Sequence, residues 1–487
     1  MLKTCLCIVL VALSALHAQV LDGTVMVSDS NAGSADKTFG LLLDAPSAKL
    51  YVTLCGSLAP WTAPPSSWGG WNNDDLARID LATFTQDGVA PVGLFPEDIA
   101  ISRHANGAAR HLWVSNSTDG TVTRLNPDLS GAVTIMLTPC WGANLASVYP
   151  FGIIASEDGS RVYVSGTSCG NLDVIDADPA SPNFSAILST IAVPDMFGRP
   201  AWVNATTLAI PFTTYNFDPV VGYATSSITG IKVLNVTTGI ITGTITTGPA
   251  LTWAYPSITD IVKTPAGKLI GAVGYGSAPE IVEFDPVTMS LSRTSFLPPL
   301  TVGLGLHGVT LDPLGKTLAV TDMLGHQVLF VDVATLSLLG SAMTGVLSQP
   351  NEVQYAPDGS RLYVSLQGQP AVQKWRALPG HDLTLSAPPF TSTGQPANLT
   401  LSNLEAGNAG YIFMSLGEGP TNVGVATIAL SWPFDLFLAL SADSVGHVES
   451  ALVVPAGLSG LTFHFQAATI DADGALRISN PAQVTVL

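Results

Sequence analysis

Residues 349–377 read QPNEVQYAPDGSRLYVSLQGQPAVQKWRA. Val353 and Tyr355 alternate up to a Pro-Asp-Gly turn, Arg361-Leu-Tyr-Val-Ser365 follows, and a short loop leads to Val372-Gln-Lys-Trp375. Period-two alternation broken by Pro/Asp/Gly turns predicts antiparallel hairpins. The central strand recurs as Lys49-Leu-Tyr-Val-Thr53, His111-Leu-Trp-Val-Ser115, Arg161-Val-Tyr-Val-Ser165, Thr207-Leu-Ala-Ile210, Lys268-Leu-Ile-Gly-Ala-Val273 and Thr317-Leu-Ala-Val-Thr321. The steps between copies are 62, 50, 46, 61, 49 and 44 residues. A four-stranded propeller blade takes about 40–50 residues, so seven copies predict seven blades with insertions in two.

An apolar strand precedes each copy. An aspartate-bearing strand often follows, as in Leu76-Ala-Arg-Ile-Asp80 and Val328-Leu-Phe-Val-Asp332. The last blade stops after its third strand, and 23–28, GTVMVS, is an unassigned strand near the N-terminus. This strand is expected to complete the seventh blade and leave few open edges. From about 383 the pattern changes to Thr/Ser/Leu-rich alternating strands, such as Leu399-Thr-Leu-Ser-Asn403 and Gly410-Tyr-Ile-Phe-Met-Ser415. The expected fold class is therefore all-β, a seven-bladed β-propeller over 19–380 followed by a β-sandwich over 383–487.

Residues 1–18 have the form of a secretory signal: Lys3, an apolar run from Leu6 to Leu16, and Leu16-His-Ala18 before a cleavage site. Export is the expectation, and no membrane span is expected because that run is too short to cross a bilayer. Formal net charge is −18 with 11% charged residues, which argues against nucleic-acid partners needing clustered Lys and Arg. Cys55, Cys140 and Cys169 follow the signal. One disulfide and one free thiol is the arithmetic, and Cys140–Cys169, flanking one blade, is the favoured pair.

The repeats resemble the YVTN/NHL-like class of bacterial seven-bladed propellers, through APDGSRLYVS at 356–365, SEDGSRVYVSG at 156–166 and LHGVTLDPLGKTLAVTD at 306–322. That resemblance implies the fold and leaves function open, because propellers host enzymes and adaptors alike. The ending GLSGLTFHFQA at 457–467, with Ile478-Ser-Asn480 and Val484-Thr-Val486, resembles a C-terminal module of secreted planctomycete-type bacterial proteins. It implies an extracellular accessory or sorting role.

The loops leading into innermost strands and those joining strands two and three open on one face, where ligands usually meet a propeller. Trp61, Trp68 and Trp71 lie in a first-blade insertion; Trp141, Tyr149, Trp253 and Tyr255 lie in loops leading into inner strands; Tyr215, Phe217, Tyr223 and Tyr275 lie in the other loop set. Flat aromatic faces near amides suit sugar rings or peptide side chains. An equally weighted reading packs these rings down as a lid over the channel.

Aligning the first residues of the innermost strands gives one column Phe39, Glu97, Phe151, Arg199, Thr259, His307, Asn351. The next is Gly40, Asp98, Gly152, Pro200, Asp260, Gly308, Glu352. Glu97, Asp98, Asp260, Asn351 and Glu352 are candidate ligands for a hard cation such as Ca²⁺, in outline similar to gluconolactonase-type propellers. Against this, adjacent columns face opposite sides of a strand, and the carboxylates are more simply turn caps or partners of Arg199 and Arg103. His307 is the candidate general base if the protein is an enzyme.

No C-x-x-C-H, P-loop or H-E-x-x-H motif supports another chemistry. Two readings stand. The favoured one is a secreted binding protein with an extracellular polysaccharide or protein partner and no assigned cofactor, using the aromatic loops and Arg199. The alternative is a metal-dependent lactonase-like hydrolase.

Overall fold

The computed structural model describes residues 20–29, 37–56, 74–139, 148–218, 223–249, 256–275, 279–297, 305–376 without Asp358 and Ser360, and the strands between 384 and 486. The signal sequence, Trp61, Trp68, Trp71, Cys140, Trp141, Trp253 and Tyr255 lie outside these residues. Backbone contacts divide the chain into Leu21–Arg376 and a second unit holding Ala377–Leu487. Among the described residues the helical content is one 3-10 turn, Ala45–Ser47, and no helix is long and apolar enough to cross a membrane.

The larger unit is a succession of four-stranded antiparallel sheets. Six are formed by strands consecutive in sequence, with innermost strands Thr38–Asp44, Pro96–Arg103, Pro150–Ala155, Ala201–Asn204, Ser257–Lys263 and Leu306–Leu311. A seventh combines Pro350–Tyr355, Arg361–Leu366 and Ala371–Arg376 with Val20–Met26 from the other end of the chain. The added strand is held by Val27 N–H donating to the Pro370 carbonyl at 2.9 Å. Asp22 adds ion pairs to Arg361 (3.0 Å) and Lys374 (3.3 Å).

The Leu-Tyr-Val motif lies on second strands that are buried on both faces, so Leu362, Tyr363 and Val364 are all covered. Strands covered on both sides lose polar alternation and read as continuous apolar runs, which is why this segment is the most legible in the sequence. The core lies between successive sheets. Tyr51, Leu76, Ile99, Leu112 and Leu125 join the first to the second, and Leu41, Leu50, Val52, Tyr363 and Val372 join the seventh to the first. The row of sheets therefore returns on itself.

The residue ending the motif has its own task. Ser365 Oγ accepts the Glu352 amide of its own inner strand at 3.0 Å and donates to the Phe39 carbonyl of the next sheet at 2.6 Å. Thr321 does the same between Gly308 N (2.7 Å) and Asn351 O (2.7 Å), and Ser115 between Asp98 N (3.1 Å) and Phe151 O (2.9 Å). One hydroxyl thus satisfies two buried backbone groups that belong to different sheets. The approach is close: a Cβ on Gly40 would lie 2.1 Å from the Glu97 carbonyl, so glycine is required there.

One sequence expectation changes. Tyr215, Phe217 and Tyr223, read as loop residues, belong to a long hairpin, Thr207–Asp218 paired with Tyr223–Asn235. The longer step between motif copies is thus an extension of strands.

In the second unit, Thr384–Ser386, Pro396–Ser402 and Val448–Val453 form one sheet. A larger sheet orders Phe390–Thr391, Ala482–Val486, Thr462–Ile470, Ala409–Ser415 and Asp435–Ser441, and Ile412, Phe465 and Val484 are buried on it.

Candidate functional site

The inner strands are irregular where they begin. Antiparallel register slips across Phe39-Gly40, Phe151-Gly152, Thr259-Asp260, His307-Gly308 and Asn351-Glu352, and beside Glu97. A β-bulge sets two residues against one and re-aims their side chains. Strict alternation would send the two columns to opposite faces; the bulges bring both toward one axis instead. That corrects the expectation of separated columns.

The first column meets ring to ring. Phe39 lies 5.7 Å from His307 and 6.4 Å from Phe151, and Phe151 lies 6.3 Å from His307, between ring centroids. Phe95 and Phe197 pack against this group at 5.8 and 5.4 Å. Residues from the first, third and sixth inner strands are thus in mutual contact, which closes the axis at that level.

Arg199 stands next to the aromatic group, following Gly198 (φ +101°) and preceding Pro200. Its guanidinium reaches Asp98 Oδ1 with Nε at 2.8 Å, an ion-pair contact off the line of a hydrogen bond, and pairs with Glu352 Oε2. Asp260 Oδ2 is farther away, at 3.9 Å. Glu352 Oε1 also faces His307 Nδ1 at 3.4 Å. The two aspartates repeat one local design. Asp98 accepts Ile99 N (2.8 Å) and, from the next sheet, Ile153 N (2.9 Å); Asp260 accepts Ile261 N (2.9 Å) and Val309 N (3.1 Å).

Burial governs the proton affinities. It pushes Asp98 up, with Arg199 offsetting part of the rise, and raises Asp260 to about 7. Burial also pushes Glu352 up, but Arg199 and His307 more than reverse it, and its carboxyl stays below the usual range. Burial opposes charge on Arg199, yet Asp98, Glu352 and Asp260 together hold its affinity for the proton above the ordinary guanidinium value.

Glu97 lies apart from this cluster. Burial drives it well above the usual carboxylate range despite hydrogen bonds with Ser117 and Tyr149. Its Oε2, and both amide atoms of Asn351, have no hydrogen-bond partner among the described residues.

The structure therefore brings Asp98, Asp260 and Glu352 together around a guanidinium, with His307 beside Glu352. Among the described residues no group of three or more His, Cys, Asp or Glu is arranged to hold a metal ion. Arg103 pairs with Asp44 at 2.7 Å instead of joining the central cluster. Tyr149 packs on Phe95 at 6.2 Å. Cys169 is disulfide-bonded, Cys140 lies outside the described residues, and Cys55 is a buried free thiol. The sequence reading named Arg199 as a partner of these carboxylates but did not place three of them around it. Its Gly-Arg-Pro setting breaks the repeat, and that break was the available signal.

No protein-family model and no curated protein matches the chain. Solved structures do. The chain is similar to hydrazine synthase of Kuenenia stuttgartiensis (TM-score 0.53, 17% identity), over 72% of this chain and 99% of that one. It is also similar to the β-propeller domain of Cps50 (Swd1) from Myceliophteria thermophila (TM-score 0.51, 12% identity), over 74% and 99%. At these identities the likeness concerns fold alone: an all-β, propeller-type architecture.

Proposed function

We propose that this is a secreted binding protein of bacterial type, a seven-bladed propeller closed by its first strand and followed by a β-sandwich accessory module. Recognition of an extracellular protein or polysaccharide falls to the aromatic loops on the face where the inner strands begin, with Cys140–Cys169 bracing one of them. The observation that carries this reading is the closed axis. Phe39, Phe151 and His307 fill it, and Arg199 holds the central position that a hydrolytic cation would take. Asp98 and Asp260 each direct both oxygens to backbone amides. A lactonase-like centre on Glu97, Asp98, Asp260, Asn351 and Glu352 needs six to eight oxygens free to converge on Ca²⁺, and the guanidinium already occupies the space between three of these groups.

The test is binding of the mature protein to immobilised extracellular polysaccharides and secreted proteins, for wild type, Trp68→Ala and Trp141→Ala. Saturable binding that weakens at least about tenfold in the variants at unchanged Tm is expected, the scale of losing an aromatic anchor. Calcium-dependent lactone hydrolysis lost in Asp260→Ala would overturn the reading in favour of the enzyme.

A further inference from the structure

Beside the Arg199 cluster, on the side away from the aromatic group, the axis opens into a cavity of about 530 Å³. That is within the size of small-molecule pockets, roughly 300–1,000 Å³. Its charged groups are Asp98, Asp260, Glu352, Arg199 and Arg103, and its walls combine aliphatic side chains, including Ile99, Ile153, Ile261, Val309 and Val353, with the polar Thr310 and Gln354. Tyr355 and Arg103 complete the lining, close to the turns that join first and second strands, and Arg103 is already engaged by Asp44. The cavity thus extends from the starts of the inner strands toward the turns that join first and second strands.

Three carboxylates meet one guanidinium here, and Arg103 is held by Asp44, so the charge is unbalanced. Asp260 has the weakest hold on Arg199 and lies in the lining. An anion is repelled by this excess. A hard metal ion finds the oxygens of Asp98 and Asp260 turned to backbone amides and Glu352 paired with Arg199. An apolar stem ending in a cationic group matches both parts of the lining, because such chains bury their methylenes and keep the charged head at a polar site.

We propose that this cavity binds an organic cation, a primary ammonium or guanidinium on a short aliphatic stem, with its head at Asp260 and its stem along the Ile and Val walls. Binding strengthens as Asp260 ionises. The other ionisable groups facing it are Arg199, Asp98, Glu352 with His307 behind it, Glu97 beside Asp98, the Asp44–Arg103 pair, and Tyr355, whose hydroxyl burial keeps neutral.

Titration calorimetry and thermal unfolding of the full chain test this with n-butylammonium and n-butylguanidinium, against NaCl and CaCl₂ at matched ionic strength and n-butanol as the neutral analogue. Saturable binding of both organic cations is expected, weakening roughly tenfold from pH 8 to pH 6 as a carboxyl titrating near 7 takes up its proton, and at least about tenfold in Asp260→Asn. Equal effects from the salts reduce the result to screening and overturn the proposal, as do equal effects from n-butanol. An unchanged affinity in Asp260→Asn also overturns it. Should that variant not fold, the wild-type pH series decides, and pH-independent binding refutes the site. A lysine-containing tripeptide that binds more tightly than n-butylammonium identifies a partner's side chain as the source; the reverse identifies a free amine.

Discussion

Arg199 is the side chain on which the axis depends. Removing one partner of a buried charge group strands the others, so Arg199→Met is expected to cost roughly 3–5 kcal/mol by urea unfolding. Arg199→Lys restores only part, because an ammonium cannot present the planar fork that meets Asp98 and Glu352 together. The same cluster sets a pH dependence of unusual sign. Asp260, Asp98 and Glu97 have folded-state values raised above their ordinary ones. Their contribution is fully present below the unfolded values and is lost as pH rises through the folded ones. Glu352 has the opposite sign, and its contribution is lost in acid as pH falls through its lowered value. The urea midpoint is therefore expected to be highest near pH 5 and to decline toward pH 8. For Asp260, moving from 3.8 to about 7, the loss is about 4 kcal/mol as an upper bound over the whole interval, of which roughly 3 kcal/mol falls above pH 5. Asp260→Asn flattens that decline. A midpoint constant from pH 5 to 8 would contradict the assignment.

At the scale of strands, the recurring hydroxyl explains a motif that hydrophobic patterning leaves unexplained. Leu-Tyr-Val is readable because apolar burial shows in composition. A Ser or Thr follows it in five of the seven copies, and for Thr53, Ser115, Thr321 and Ser365 the acceptor is a carbonyl from another sheet, a contact no local rule predicts. Ser365→Ala leaves the Glu352 amide and the Phe39 carbonyl unpaired in a buried site, with an expected cost of about 1–3 kcal/mol. Ser365→Thr, which keeps the oxygen, should be close to neutral. Gly40→Ala is expected to be at least as damaging, since its Cβ would collide with the Glu97 carbonyl at 2.1 Å and backbone must move. Thermal unfolding of the three variants checks the order. The bulges belong to this scale too. Both alignment columns were visible in sequence, but their convergence was not, because a bulge changes facing without any fixed residue signature: the bulged pairs run from Phe-Gly to Asn-Glu.

At the scale of the molecule, the all-β class and the hairpin turns were legible, because both rest on period-two patterning and spacing. The cavity was not. Sequence reasoning placed ligand recognition on the aromatic loops, whereas the charged cavity is assembled from inner-strand residues toward the turns that join first and second strands, where no motif marks it. The two-unit division also has a measurable consequence. Limited proteolysis between Arg376 and Thr384 is expected to release a fragment ending near Arg376 that unfolds cooperatively with the Tm of the intact chain's larger transition. A fragment that loses cooperativity would show that the second unit is needed for the first to fold.

The final stitch of the ring spans most of it. Ser365 and Phe39 are 326 residues apart in sequence, and the edge beside Ala371–Arg376 is completed by Val20–Met26. Contacts of such separation form late, since the chain between them must be organised before they gain anything by meeting. During synthesis the first strand is made before its own sheet exists, and it waits with unpaired amides and carbonyls. Any other copy at the same stage offers that strand an identical edge, so concentrated refolding has a built-in route to exchange of first strands between chains. The device that leaves the finished ring with one edge fewer makes its assembly sensitive to company.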